Sequence, residues 1–140
     1  MKISELQEYL KDRLNGVETL VKGRCKVFAE DTHEVYDEAN QWTSGGKVAV
    51  VVVTPEFVRS GDGVEEGLPF EGDVVIRCIE KPAISRHEKL TMPALDAAEV
   101  VMHELDGKIF GWKSTRQTVD RTTGTITATA TFGYSGTLTR

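Results

Sequence analysis

The sequence has few of the residues that usually carry chemistry. Among 140 residues there are two cysteines and three histidines. Cys25 and Cys78 lie in separate apolar, strand-like segments. No Cys-X-X-Cys pair and no Cys/His cluster is present, so a structural zinc site has no motif to rest on. Two cysteines are too few for a secreted disulfide scaffold of this length. Both read as buried thiols that act as small hydrophobes. The opening Met-Lys-Ile-Ser-Glu-Leu is charged and amphipathic, unlike a signal peptide, and the expected location is a reducing cytoplasm. No apolar run approaches the roughly 20 residues of a membrane-spanning helix. There is no run of Lys or Arg, and the formal net charge is -5. Sequence-specific nucleic-acid binding, which needs a basic face to displace counterions, is therefore not expected.

What is present is periodicity. Hydrophobic residues make up 39% and charged residues 28%, enough for one α+β domain over 1–140. Ile3, Leu6, Leu10 and Leu14 predict a helix over 3–15, with Gly16 ending it in a left-handed conformation. Val27 and Phe28 predict a short strand. The acidic stretch 31–41 reads equally as a short helix or a loop. Lys47 to Thr54, with its β-branched run bounded by Gly45-Gly46 and Pro55, predicts a central strand buried on both faces. Residues 60–69 predict a mobile turn-rich loop, and 73–80 a strand ended by Pro82. Residues 92–106 predict a second helix capped by Thr91, with Ala94, Leu95, Ala98, Val101, Met102 and Leu105 inward. A hairpin closes the pattern: Phe110 to Val119, a turn over 120–124, then Thr125 to Tyr134. In its last strand Ile126, Ala128, Ala130, Phe132 and Tyr134 face inward, and Thr125, Thr127, Thr129 and Thr131 face outward. The sum is a mostly antiparallel sheet of about five strands with two helices on one face.

Motifs for catalysis or for a cofactor are incomplete. His33-Glu34-Val35-Tyr36-Asp37 lacks the second histidine of a zinc-protease helix. Glu99, His103 and Asp106 read as a solvated stripe. Gly61-Asp62-Gly63 is followed by Glu65, Glu66 and Pro69, which would repel a phosphate and interrupt a helix. Gly133-Tyr134-Ser135-Gly136 is one residue short of a nucleophile elbow. No catalytic residue, metal or cofactor is expected, and the chain is expected to act through its surfaces. Trp112 reads as core. Trp42, beside Thr-Ser-Gly-Gly, is the better marker of an interface.

The order of elements carries a resemblance. A helix of about a dozen residues runs into Gly16-Val17-Glu18-Thr19-Leu20-Val21-Lys22-Gly23-Arg24 and a strand. Strands at 47–54 and 73–80 follow, then Ala94-Leu95-Asp96-Ala97-Ala98-Glu99 to Leu105-Asp106-Gly107 and a terminal hairpin. This layout resembles the tail terminator, or tail completion, proteins of long-tailed phages and prophages. The resemblance implies a structural subunit that forms a ring, typically a hexamer, capping the tail tube and receiving the head. It implies as partners other copies of the chain, the tail tube and head-tail connector proteins. It also implies location in the host cytoplasm during assembly and then in the virion tail. The acidic segment 30–46 has no counterpart in that layout. Expected partner contacts are Trp42 and, around the glycine-rich loop, Val64, Glu65, Glu66, Leu68 and Phe70. Thr127 and Thr129 on the outer sheet face complete the set. The alternative is a stand-alone domain that binds a small molecule or a peptide.

Overall fold

The computed structural model describes residues 3–31, 34–63 and 67–139. Leu6, Leu10 and Leu14 stack on one side of helix α1 (Ile3–Asn15) and press it onto a sheet. Helix α2 (Glu18–Lys22) adds Leu20 to the same layer. Then come strand β1 (Cys25–Ala29), helix α3 (Glu34–Ser44), and strands β2 (Val48–Val52), β3 (Glu56–Arg59) and β4 (Gly67–Glu80). Helices α4 (Pro82–Ser85) and α5 (Ala94–Leu105) precede strands β5 (Phe110–Asp120) and β6 (Thr125–Thr139).

The α+β arrangement agrees with the sequence reading, but the number and pairing of elements differ. The described strands form a six-stranded mixed sheet in the order β1-β2-β4-β6-β5, with β3 paired to β4. β1 and β2 are parallel, which requires a crossover, and α3 supplies it. The other pairs are antiparallel. The acidic stretch that read as helix or loop is thus a helix, and it lies on the opposite face from α1 and α5. Phe28, Val35, Ala39, Ala49 and Val51 form a second apolar cluster beneath it.

The helical face holds the main core. Val27, Val50, Ile76, Ala128 and Phe132 meet Leu10, Ala98 and Val101 there. The expected inward and outward alternation of β6 is observed, with Ala128, Ala130 and Phe132 fully buried. β6 does not stop near Tyr134. It continues to Thr139 and pairs with β4 along its whole length, from Gly67↔Thr139 to Glu80↔Ile126. Leu68 and Pro69 therefore lie in a strand rather than in the expected loop. Gly16 is not left-handed; its N–H closes on the carbonyls of Asp12 and Arg13.

Two further expectations change around α5. Thr91 does not cap it; its hydroxyl donates to the Gly46 carbonyl at 2.8 Å. The N-cap position is Pro93, which offers no side-chain cap. The acceptor comes from the neighbouring strand: Glu80 Oε1 takes the Ala94 N–H at 3.1 Å. Leu95 is exposed rather than inward, while Ala97 joins the buried face.

Candidate interaction surface

α3 covers β1 and β2, and its rim reaches Arg77 and Ile79 of β4 through Tyr36 and Ala39. Beyond that rim, among the described residues, no helix covers the outer face of β4, β6 and β5. Cross-strand register sets three rows there. Val75 lies beside Thr131 and Ser114, Arg77 beside Thr129 and Arg116, and Ile79 beside Thr127 and Thr118. The threonines are half-buried and wet on one side, as their alternation predicts. The flanking arginines were not legible, because register between distant strands is not written in local sequence. β5 is an edge strand, and its bulge between Trp112 and Ser114 together with Lys113 and Arg116 blunts it against unspecific pairing.

The expected contact residues do not share one surface. Thr127, Thr129 and Trp42 lie on the outer face. Leu68 sits two residues from Phe70 on the other, helical side of β4, beyond the helices. Phe70, expected to wait for a neighbour, is buried by its own chain at 7% exposure. Its ring packs edge-on to Phe57 at 5.0 Å and beside Tyr134 at 5.6 Å. Val64, Glu65 and Glu66, in the loop expected to be mobile, lie outside the described residues, as does His33. Trp112, expected in the core, is 44% exposed; its indole N–H donates to Thr115 Oγ1 at 2.9 Å.

Trp42 is half-buried at the end of α3. Its indole N–H donates to the Val48 carbonyl at 2.8 Å, which fixes the ring. Lys47 Nζ lies 4.1 Å from the ring centroid and Lys26 Nζ 5.6 Å. With Arg24, Cys25 and Val21 they line an open depression of about 490 Å³. At the other end of the outer face, Glu56, Val58, Glu71, Asp73 and Lys113 line a second open depression of about 510 Å³. Lys113 Nζ donates to Asp73 at 2.8 Å, which raises the lysine above its ordinary value.

The titratable groups inside the fold act as structure. Burial pushes the Cys25 thiol up to about 12 and raises Cys78 further, so neither supplies a thiolate near neutral pH. Burial would raise the Glu30 carboxyl, but the hydroxyl of Tyr36 and the N–H of Thr54 outweigh it and hold the group below its usual range. Tyr36 is raised in turn, by burial and by that carboxylate. Together they fasten the start of α3 to the end of β1. His103 lies 3.7 Å from Glu99 in an exposed helical pair, the solvated stripe expected of it. Among the described residues no group of three His, Cys, Asp or Glu side chains is placed to hold a metal ion. No protein-family model matches the chain, and no curated protein matches it either.

Proposed function

We propose that the chain is a structural subunit that self-associates, and that its assembly is a ring terminating the tail tube of a long-tailed phage or prophage. The layout of elements gives the phage part of this reading. The observation that supports self-association is the outer face of β4, β6 and β5, left open where α3 ends. A threonine row with flanking arginines and the apolar Val75 is wet but weakly charged, so another protein surface can cover it at small desolvation cost. The alternative of a small-molecule site needs a deep, mostly apolar pocket. The two depressions described above are open and rimmed by charge, which suits that role poorly.

The test is Thr127→Glu with Thr131→Glu. Both side chains point away from the core, and Arg77 and Arg116 stand beside them, so circular dichroism should be unchanged. Any docked surface would have to desolvate two carboxylates, and ring formation, imaged with and without added tail tubes, should be lost. Normal rings from this variant would remove the open face from the interface. Wild-type protein that forms no ring on tail tubes would sink the phage reading.

A further inference from the structure

We infer that the basic Trp42 end and the acidic β3–β4 end of the outer face recognise each other between successive copies of the chain. The inference rests on the self-association proposed above and adds which surfaces meet. Lys26 and Lys47 have no carboxylate partner among the described residues. Among the same residues Arg24 has only Glu88, at 4.0 Å. Val21, 57% exposed, supplies an apolar contact between these cations, and Trp42 supplies a rigid aromatic one. Arg24 also sits at φ 61°, a left-handed conformation that a side-chain-bearing residue adopts only under constraint. Its carbonyl accepts from the Val48 N–H at 3.1 Å, which fixes the turn backbone, and its side chain lines the depression.

The acidic end carries its own unresolved charge. Glu56 pairs directly across from Asp73, and Val58 across from Glu71. Like charges opposite one another weaken a strand pair. Lys113 pairs with Asp73 and its charge also reaches Glu71, but neither Glu56 nor Glu71 has a direct ion-pair partner among the described residues. Val58 stands between them at 61% exposure. Each end therefore sets an exposed valine among an excess of one charge, basic at Trp42 and, with Lys113 as the one lining cation, acidic at β3–β4.

The two ends cannot satisfy each other within one molecule. Lys26 is level with Ala49, and Ala49 with Ile79. Glu71 and Asp73 lie six to eight residues away along β4, a separation of roughly 20–27 Å at strand rise. That exceeds the screening length of about 8 Å at physiological salt. A polyanion such as nucleic acid would fit the basic end, but the acidic end and the net charge of -5 would repel it. A second copy brings the complementary charge and the complementary valine together. A contact between unlike ends leaves one free end of each kind, so it propagates, and it closes into a ring where the rotation between copies permits.

The experiment is sedimentation velocity over a concentration series at about 50 mM and about 500 mM NaCl, where charge-steered contacts weaken with salt. Wild-type association should weaken about tenfold or more at the higher salt. Lys26→Glu with Lys47→Glu should weaken it about a hundredfold, and so should Glu56→Lys with Glu71→Lys. An equimolar mixture of the two variants should associate again, because each then meets its complement. If wild type associates and both variants associate as tightly, the inference fails, while self-association through the threonine face stands. If the variants fail alone and also fail when mixed, the pairing of these two ends is wrong. If wild type stays monomeric throughout, self-association itself is overturned and the inference goes with it.

Discussion

Glu80→Ala should lower the unfolding free energy by about 3 kcal/mol, read from urea denaturation at neutral pH. Glu80 is 0% exposed at the end of β4. Its carboxylate accepts from Ser85 Oγ at 2.6 Å, Arg86 Nη2 at 2.7 Å, Arg86 Nε at 3.2 Å and the Ala94 N–H at 3.1 Å. The last bond satisfies an orphan donor at the start of α5, where a negative charge also faces the positive end of the helix. Alanine would strip all four donors and leave a hole beneath the helix. Half-exposed Arg86 can turn to water, which keeps the loss at the lower end for a broken buried pair. Glu80→Gln keeps the shape and should cost less, about 1–2 kcal/mol. It should also change the response to acid. Burial would raise this carboxyl, but Arg86, Ser85 and the Ala94 N–H outweigh burial and hold it below the ordinary glutamate value. The folded carboxylate thus keeps its proton off where the unfolded one takes it up. The stabilisation is full above the unfolded value of about 4.3 and is lost as pH falls through the folded value. Glutamine at 80 should remove that share of the acid slope. An unchanged slope would show that Glu80 is not the group responsible.

The residues that make this anchor also show how far the sequence could be read. Glu80 reads locally as the polar end of a strand. Its role needs α4 to turn the chain back, so that Ser85, Arg86 and Ala94 converge on it, and no single window contains that geometry. Elements carried by their own periodicity were legible: α1 from its leucines, β2 from its uninterrupted valines, β6 from its alternation. α3 was ambiguous because Val35, Ala39 and Trp42 give a thin apolar stripe among acidic residues. Its docking depends on Phe28 and Val51 in other elements. β3 was missed because Glu-Phe-Val-Arg is short and follows Pro55, and β4, not its own pattern, holds it in place. The interface residues fared alike. Thr127 and Thr129 were legible as an outward row. The arginines beside them, and the opposite charges at the two ends of the face, appear only when register joins distant strands.

The same register gives the second large effect, at Gly72. Gly72→Ala should destabilise the chain by about 3 kcal/mol, the upper end for overpacking, because the obstructing atoms are mainly backbone. A Cβ at 72 would lie 2.1 Å from the Glu56 carbonyl oxygen and 2.6 Å from Phe57 Cδ1. Neither can yield while β3 stays paired, since Phe57 and Gly72 are register partners. The strand would have to leave β4, and the Phe57–Phe70–Tyr134 ring cluster would open with it. Amide exchange should accordingly rise at Phe57, Val58 and Arg59 more than in β2. Gly111→Ala is the control: a Cβ there meets nothing within 4 Å, and its stability should stay within about 0.5 kcal/mol of wild type. Because β3 presents Glu56 and Val58, Gly72→Ala should also weaken association of the folded protein, even though its own side chain adds no charge. A Gly72→Ala protein with wild-type stability and protected β3 amides would mean that β3 does not approach β4 this closely. The acidic end would then lack the rigid frame the docking proposal needs.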